Sequence, residues 1–325
     1  MSDHINSCLL VGSGRMAVEY AKVLQAMGVP FQTVGRGASS AEAFRQKTGA
    51  SVIEGGLSSY LKKTKTRPAA AIVCTGIEAL ADATIQLIRH NVRHILVEKP
   101  GGLNTSELIQ VKKESGKHIA RVFIAYNRRF YASVQKAREW IEADGGLQSF
   151  HFEFTERSQA VATSSLPETV KQNWLLANSS HVIDLAFYLG GFPSRLHTFS
   201  SGSLPWHPSA AQFAGAGKTE RGALFSYHAD WAAPGRWSID LRTAKRRLLL
   251  CPLEKLKVQW PGQDDWTSVL LSDERDRQFK PGLYRLTASF LFKEEDLLPK
   301  IDEHCQSCQT IYTKMVPPLR KEGNP

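Results

Sequence analysis

The chain has 325 residues, enough for two domains, and its apolar (42%) and charged (22%) fractions are those of ordinary globular proteins. Its 41 Lys and Arg residues outnumber its 31 Asp and Glu residues, and this positive charge favours an anionic small ligand such as a nucleotide. The basic clusters at 62–65 and 245–247 are short and carry no nucleic-acid motif, so we expect them to form solvated faces. The five cysteines are scattered and no apolar run resembles a membrane span or a signal peptide, so we expect no disulfide framework, no membrane or nucleic-acid partner, and a cytoplasmic location.

A short apolar strand at 7–11 leads directly into the run Gly-Ser-Gly-Arg-Met-Ala at 12–17, and a helix is predicted over 18–27. Strand, GxGxxA and helix in this order are typical of a dinucleotide-binding turn. Gly12 permits the tight turn, Gly14 lets the backbone approach a pyrophosphate, and Ala17 allows close helix–strand packing. The alternative is a glycine-rich turn without a ligand. The residues predicted to bind the cofactor here are Gly12, Ser13, Gly14, Arg15 and Met16.

The second predicted strand, at 30–34, ends in Gly35 and Arg36, with Ser39 close behind. An NAD-binding chain commonly places Asp or Glu near this strand end to hold the ribose 2′-hydroxyl. Gly35 takes that place here, and an Arg with nearby serines suits a 2′-phosphate through charge-assisted hydrogen bonds. We therefore predict NADP rather than NAD, with Arg36 and Ser39 as ligands. The alternative is that Arg36 lies over the adenine face.

Strands and helices then alternate, which predicts one parallel, doubly wound domain. The further strands are predicted at 51–53, 69–74, 95–97 and 121–125, and the helices at 41–48, 57–65, 79–91 and 105–115. Thr75 follows a strand end, where ligands bind in open α/β sheets. Glu98 and Lys99 follow the next strand end, and Pro100 fixes the turn that aims them. Lys99 is able to donate a proton to a sugar hydroxyl or carbonyl; the alternative is a surface lysine that caps a strand.

The combination of GxGxxA, an Arg-bearing second strand end, Cys-Thr-Gly at 74–76, Val-Glu-Lys-Pro at 97–100 and Ala-Tyr-Asn-Arg-Arg-Phe at 125–130 resembles the glucose–fructose oxidoreductase / inositol dehydrogenase / MocA (Gfo/Idh/MocA) family. The resemblance covers about the first 130 residues well. It implies that Lys99 lies near the nicotinamide and the reacting hydroxyl, and that Thr75, Glu98 and Lys99 belong to the cofactor site.

The same resemblance implies a second domain with a large, mostly antiparallel sheet that lines the substrate site and often forms the oligomer interface. We therefore predict an α/β Rossmann domain at 1–124 that binds NADP, and an α+β domain at 125–325 for substrate binding and oligomerisation. A homodimer or homotetramer is the expectation of the family. The two domains are expected to share a cleft.

The second half begins with a predicted helix at 131–143 and a strand pattern at 147–156, followed by an irregular stretch at 158–169. Alternation predicts strands at 197–201, 222–229, 237–243, 246–251, 255–260 and 268–271. The Ala-, Gly- and Pro-rich segment 206–217 is predicted to be a loop. Helices are predicted at 283–293 and 297–314, and the tail from Pro317 is expected to be loose.

A helix is predicted from near Ser179, capped by the polar group at 178–180 and ended by the glycine pair at 190–191. The resemblance implies that this helix carries the second catalytic group, a histidine followed three residues later by Asp, which fits His181 and Asp184. The acid that often lies four residues before the histidine is replaced by Ala177. The bland alternative for His181 is a locally bonded helix-start histidine, and Asp184 is taken as structural. Asn178 is able to bind a sugar hydroxyl but not to take a proton, and the residues predicted to bind substrate are Asn127, Trp174 and Asn178.

These features predict an NADP-dependent oxidoreductase that acts on a sugar or sugar derivative. Hydride would pass between a carbohydrate C–H and C4 of the nicotinamide, while Lys99 and His181 exchange the hydroxyl proton. The basic balance favours an anionic sugar such as a sugar nucleotide. Two alternatives stay open: a non-catalytic NADP-binding sensor, which Ala177 favours, and a glycosidase with tightly held NAD. The CxxC spacing at 305–308 has no second pair, so no metal site is predicted.

Overall fold

The computed structural model describes Ile5 and residues 7–64, 66–292 and 295–316, and the chain divides into two compact units. The first unit comprises Met1–Phe130 and Glu274–Gln306, and the second comprises Tyr131–Asp273 and Ser307–Pro325. The predicted domains at 1–124 and 125–325 need correction in two respects. The first unit extends to Phe130, and the chain returns to it at Glu274.

Among the described residues, the first unit is built on a six-stranded parallel sheet in the order β3-β2-β1-β4-β5-β6. Its strands are β1 (Cys8–Val11), β2 (Phe31–Val34), β3 (Val52–Ile53), β4 (Ala70–Val73), β5 (His94–Glu98) and β6 (Arg121–Ala125). Parallel strands covered on both faces need continuous apolar runs, and the central strands β1 and β4 are buried at every position. The predicted doubly wound sheet is confirmed.

Five helices connect these strands: α1 (Arg15–Ala26), α2 (Ala38–Thr48), α3 (Gly56–Lys63), α4 (Leu80–Arg89) and α5 (Thr105–His118). Helix α1 begins three residues earlier than the apolar spacing indicates, because the glycine loop passes directly into its first turn. Helix α5 has a side-chain cap, since the Oδ1 atom of Asn104 accepts a hydrogen bond from the Glu107 amide at 3.0 Å. The predicted end of the third helix at Lys65 lies outside the described residues.

In the second unit, the described strands form a sheet of eight in the order β14-β13-β12-β11-β7-β10-β9-β8. They are β7 (Ser149–Phe154), β8 (Pro193–Ser201), β9 (Gln212–Thr219), β10 (Leu224–Asp230), β11 (Trp237–Arg242), β12 (Arg247–Leu250), β13 (Lys257–Gln259) and β14 (Thr267–Ser268). Strands β7 and β10 pair in parallel, and the other neighbours pair antiparallel. The predicted large, mostly antiparallel sheet is confirmed.

The loop predicted at 206–217 is wrong in its second part, which forms β9. The glycines that suggested a loop make room for aromatic rings of the paired strand β10. A Cβ atom on Gly215 would lie 2.5 Å from the Tyr227 ring, and one on Gly217 would lie 2.6 Å from the Phe225 ring. Small residues opposite large rings are a packing device of sheets, and they mimic a loop signal in the sequence.

Helix α9 (Ser180–Gly190) covers the sheet face that carries Phe150, Phe152 and Phe154, which are 2%, 0% and 0% exposed. The helices of the second unit that precede it in the chain are α6 (Ala132–Ala143), α7 (Ser158–Ala162) and α8 (Glu168–Gln172). Helix α7 corrects the prediction of an irregular stretch at 158–169. The ring of Phe187 on α9 packs edge-on against Phe152, with ring centroids 5.6 Å apart.

The returning segment contains α10 (Glu274–Gln278), α11 (Leu283–Leu291) and α12 (Ile301–Ser307). Leu283, Leu286 and Phe290 of α11 are fully buried in the same apolar core as the helix α1 and the first sheet. That burial is the physical reason why this segment belongs to the first unit. The helix predicted at 297–314 is divided into α12, a π-helical stretch at Cys308–Tyr312 and a last turn, α13 (Thr313–Met315). The predicted loose tail from Pro317 lies outside the described residues.

Two residues of the basic cluster at 245–247, Arg246 and Arg247, are paired within their own unit, which corrects the prediction of a solvated face for them, whereas Lys245 is exposed. The Arg246 guanidinium lies 2.8 Å from the Asp144 carboxylate, whose side chain is fully buried. It also lies against two neighbouring indole rings, 4.8 Å from the centroid of Trp140 and 5.0 Å from that of Trp260. The Arg247 guanidinium pairs with Asp240 at 2.6 Å.

None of the helices formed by the described residues is both long and apolar enough to cross a bilayer.

Candidate functional site

A cavity of about 590 Å³ opens in the first unit at the carboxyl ends of β1, β2 and β4. Seven residues predicted for the cofactor line it, namely Gly12, Ser13, Gly14, Arg15, Met16, Arg36 and Thr75. Ser40 lines the cavity in place of the predicted Ser39, and neither Glu98 nor Lys99 belongs to its lining. The volume and position suit an extended mononucleotide half of a dinucleotide.

The glycine loop has the backbone that a pyrophosphate site requires. Gly12 adopts a φ of 120°, and a Cβ atom there would lie 2.7 Å from the Cys74 carbonyl oxygen, so only glycine fits. Gly14 has extended backbone with open space where a Cβ would stand, and it gives α1 no side-chain cap. The first N–H groups of α1 therefore remain available to a phosphate, which fits a dinucleotide.

The end of β2 leaves no room for the acidic side chain that would hold a ribose 2′-hydroxyl. A Cβ atom on Gly35 would lie 2.6 Å from the Ser13 hydroxyl oxygen and 3.0 Å from a methyl carbon of Val52. Arg36 is exposed, and its aliphatic stem lies so close to Gly56 that a Cβ there would be 3.0 Å from the Arg36 Cγ. The rim thus presents a cation and excludes a carboxylate.

Ser13 and Ser40 connect the two sides of this rim by a 2.9 Å hydrogen bond between their hydroxyl groups. The Ser40 hydroxyl also donates to the Gly37 carbonyl at 3.0 Å. These bonds fix the turn that carries Arg36, and they explain why the serine that lines the cavity is Ser40 rather than Ser39.

The strand end that carries Lys99 is held by buried polar partners. The Tyr20 hydroxyl donates to the Glu98 carboxylate at 2.8 Å, and His304 Nε2 donates to the Pro100 carbonyl at 2.9 Å. Burial raises the pKa of Glu98, while the bond from Tyr20 and the charge of Lys99 oppose that rise. Burial and then the charge of Glu98 raise the pKa of Tyr20 well above its usual value. Glu98 therefore acts from within the first unit as an anchor for the turn that carries the partly exposed Lys99.

Lys280 is a further cation beside this strand end that the sequence analysis does not identify. Burial lowers its pKa, as does the charge of Arg128 and, more weakly, that of Arg15, whereas Glu98 raises it. The turn that carries Lys280 is fixed by Asn127, whose side-chain amide donates to the Pro281 carbonyl at 2.9 Å. Asn127 is predicted to bind substrate, but its side-chain amide nitrogen already donates a hydrogen bond within the protein.

In the second unit, the polar group before α9 does not form the predicted cap. A π-helical turn at Leu175–Ser179 leads into α9, and no side chain caps the helix. Asn178 and Ser179 instead donate to the buried carboxylate of Glu156, Asn178 at 3.0 and 3.1 Å and Ser179 at 2.6 Å. A buried carboxylate is a strong hydrogen-bond acceptor, so these two side chains bond to Glu156 and do not cap the helix. Glu156 carried no signal in the sequence beyond its place at a strand end.

His181 follows on α9 and is 7% exposed, with its ring centroid 6.2 Å from that of Trp237. Ala177 is 2% exposed, so the place where the family often has an acid is filled by a buried methyl group. Trp174 packs edge-on against Trp206 with centroids 6.2 Å apart, and its indole nitrogen has no hydrogen-bond partner among the described residues.

Within the described parts of the chain, no group of three His, Cys, Asp or Glu side chains is placed to hold a metal ion. Cys305 and Cys308 of the CxxC spacing are both buried free thiols. Burial raises the pKa of Cys305 to about 11, which disfavours the reactive thiolate.

The parallel sheet, the glycine loop and the cavity define the first unit as a dinucleotide-binding Rossmann domain. Residues 6–126 match the family model GFO_IDH_MocA, described as an oxidoreductase family with an NAD-binding Rossmann fold. The match lies in the part of the chain where the sequence resembles the Gfo/Idh/MocA family, and that resemblance is confirmed. A comparison with curated protein sequences gave no significant match.

Solved structures share the fold over nearly the whole chain. The WlbA dehydrogenase from Chromobacterium violaceum, in complex with NADH and UDP-GlcNAcA, has a TM-score of 0.71 at 15% identity and covers 99% of this chain and 98% of its own. Levoglucosan dehydrogenase, in complex with NADH and levoglucosan, has a TM-score of 0.73 at 17% identity, with 93% and 94% covered. The UDP-N-acetylglucosamine 3-dehydrogenase GnnA from Acidithiobacillus ferrooxidans has a TM-score of 0.72 at 14% identity, and the match covers 95% of this chain and 97% of GnnA. At these identities the likeness establishes the fold.

Proposed function

We propose that this protein is an NADP-dependent oxidoreductase that acts on a sugar or a sugar derivative. The observation that carries the proposal is the cavity at the glycine loop, whose rim offers Arg36 and has no space for an acid at Gly35. The guanidinium suits a 2′-phosphate, and the free N–H groups of α1 suit the pyrophosphate. Two structural neighbours hold NADH and the description of another names NADPH, so the preference for NADP rests on this chain's own residues.

The bound nicotinamide supplies or accepts the hydride. For Lys99 we propose that its Nζ ammonium donates a hydrogen bond to the reacting oxygen of the substrate, stabilises negative charge there and delivers a proton when the substrate is reduced. In the oxidation direction the neutral Nζ amine would take the hydroxyl proton. The bonds from Tyr20 and His304 hold the flanking residues of the turn, so the lysine stem starts from a fixed backbone.

For His181 we propose proton exchange with the substrate hydroxyl, on the resemblance of its helix to that of the family. Asn178, Asn127 and Trp174 are proposed to orient the substrate. Trp174 offers a ring face of the kind that packs against a sugar, and Asn178 offers an amide. Ala177 supplies no acid, so a proton relay in this chain depends on His181 and Lys99.

The proposed substrate is an anionic sugar such as a sugar nucleotide. The net charge of +10 concentrates anions near the protein. A structural neighbour holds UDP-GlcNAcA, and another is a UDP-N-acetylglucosamine 3-dehydrogenase.

The first experiment is a titration with NADPH and with NADH, followed by quenching of tryptophan fluorescence, for the wild type and for Arg36→Leu. Loss of a charge-assisted hydrogen bond should weaken NADPH binding by about 10- to 100-fold and leave NADH binding nearly unchanged. An equal effect on both cofactors would contradict the role of Arg36. Arg45→Leu is the matched control, since Arg45 is an exposed cation of the next helix that pairs with Glu42.

The second experiment supplies NADP+ as the hydride acceptor and follows the appearance of NADPH absorbance with UDP-GlcNAcA, UDP-N-acetylglucosamine and levoglucosan as the alcohols to be oxidised. Turnover that Lys99→Met abolishes while NADPH binding persists supports the oxidoreductase. NADPH binding without turnover of any carbohydrate probe would favour the sensor, for which the buried methyl of Ala177 is the specific observation.

We also propose that a second copy of the chain pairs with the open face of the eight-stranded sheet. Phe199 on the edge strand β8 is 74% exposed, and Leu224 on the inner strand β10 is 60% exposed. Exposed rings and aliphatic side chains on a sheet face are characteristic of an interface. Light scattering after size exclusion should give a dimer or tetramer, and Phe199→Glu should shift it toward the monomer.

A further inference from the structure

The side-chain amide of Asn178 has a fixed direction. Its Nδ2 atom lies 3.1 Å from Glu156 Oε1 and 3.0 Å from Glu156 Oε2. Because the two N–H bonds of a primary amide diverge and an ionised carboxylate only accepts, one N–H of Asn178 is shared between the two oxygens of Glu156. Neither oxygen of Glu156 would tolerate the amide oxygen in that place.

Glu156 is itself held firmly. It is 8% exposed, and the Ser179 hydroxyl donates to its Oε1 at 2.6 Å. Strand β7 ends two residues before it, and the π-helical turn supplies both of the donors named here. Turning Asn178 over would leave a buried carboxylate facing a carbonyl oxygen, which is costly in a low dielectric.

The acceptor end of the same amide faces away from this carboxylate. Asn178 is partly exposed, and within the described residues its Oδ1 receives no hydrogen bond from the protein. Oδ1 carries two lone pairs and no proton. It is therefore able to accept from an O–H or N–H group, and it repels a carbonyl, carboxylate or phosphate oxygen.

We infer that Asn178 is a specificity-determining residue whose Oδ1 accepts a hydrogen bond from a hydroxyl or amide N–H of the substrate, with Glu156 as the positioning residue that fixes this direction. The inference rests on the proposed function, because it names the kind of substrate group that this site selects.

The test is a reversal of the hydrogen bond. Asn178→Asp places two carboxylates about 3 Å apart, where they share a proton, so kcat/KM should fall more steeply as the pH rises from about 6 to about 8. In the double variant Asn178→Asp with Glu156→Gln, the glutamine amide donates to the new aspartate. An acceptor oxygen again faces outward, and kcat/KM should return to within about threefold of the wild type without the new pH dependence.

Asn178→Leu keeps the size and removes the acceptor, and it should raise KM by about tenfold, the value of one hydrogen bond, with kcat less affected. Asn173→Asp is the matched control, because the Asn173 amide donates to the Thr169 carbonyl at 2.9 Å and faces no carboxylate. It should leave the pH profile unchanged. A double variant that is no better than Asn178→Asp, or a Leu variant with wild-type KM, would overturn the inference.

A second readout keeps this test separate from the proposed function. In ¹⁵N spectra, the side-chain amide pair that disappears in Asn178→Asp should exchange slowly with solvent in the wild type and rapidly in Glu156→Gln. Calorimetric binding of UDP-N-acetylglucosamine to the wild type and to Asn178→Leu measures the contact without hydride transfer. Three results together would refute the proposed oxidoreductase activity and support the inference about Asn178. These are no turnover, a slowly exchanging side-chain amide in the wild type, and weaker binding of UDP-N-acetylglucosamine to Asn178→Leu. A rapidly exchanging amide would refute the inference whatever the activity.

Discussion

Replacing Arg246 by Met removes a cation from a carboxylate that has no contact with solvent. The Asp144 side chain is fully buried and lies 2.8 Å from the guanidinium, and the Thr243 hydroxyl donates to it at 2.7 Å. Breaking such a pair on one side costs about 3–5 kcal/mol, because the remaining charge stays buried without its partner. The guanidinium also lies against the rings of Trp140 and Trp260, and losing these contacts adds about 0.5–2 kcal/mol.

Urea unfolding followed by tryptophan fluorescence measures this loss as a shift of the midpoint at constant slope. Arg45→Met is the matched control, since Arg45 pairs with Glu42 at 2.9 Å but both side chains are about half exposed (41% and 54%). That variant should lose at most about 1 kcal/mol. Adding Asp144→Asn to Arg246→Met should recover part of the loss. Equal losses for Arg246→Met and Arg45→Met would refute the reasoning from burial.

Three further outcomes follow from the packing and titration of single residues. Gly190→Ala should destabilise the protein by about 1–3 kcal/mol, because a Cβ atom there would lie 2.2 Å from the Phe150 ring. Gly116→Ala, in open space on an exposed part of α5, should instead stabilise the protein by about 1 kcal/mol. Changes of the same sign in the free energy of unfolding, measured with urea, would contradict this. Burial lowers the pKa of His207 below its usual 6.5, so its contribution to stability is present above about pH 6.5 and is lost as the pH falls below it. The urea midpoint of unfolding should therefore fall less between about pH 7.5 and about pH 5.5 in His207→Asn than in the wild type. An equal fall of the midpoint in both proteins would contradict a contribution from His207. Gly35→Asp should abolish or greatly weaken binding of both NADPH and NADH rather than switch the preference to NADH, because the new side chain collides with Ser13; a clean switch, read by fluorescence titration, would show that the rim adapts.

The Rossmann part of the fold was predictable from the sequence because its signals are local. The GxGxxA run lies next to its strand and helix, and the apolar strands of a covered parallel sheet are continuous. The cavity lining at 12–16, Arg36 and Thr75 follows from that local order. Ser40 displaced Ser39 only because a side-chain bond to Ser13 sets the turn, which spacing does not reveal.

The remaining site residues come together through contacts between distant parts of the chain. Lys280 and His304 reach the strand end of Lys99 only because the returning segment packs on the first unit. Asn178 and Ser179 looked like a helix cap because their residue types favour caps. The competing acceptor, Glu156, lies on another element, and nothing in the local sequence announces it.

The division of the chain also bears on how the protein is made. Because Glu274–Gln306 completes the first unit, residues 131–273 are in effect an insertion within a nucleotide-binding domain. During synthesis the first unit lacks Leu286 and Phe290 until the whole sheet of the second unit has left the ribosome. Until then the apolar core of the first unit remains incomplete and exposed to solvent. A fragment that ends at Phe130 lacks these two residues permanently, whereas a variant in which 274–306 follows directly on Phe130, with 131–273 deleted, contains them.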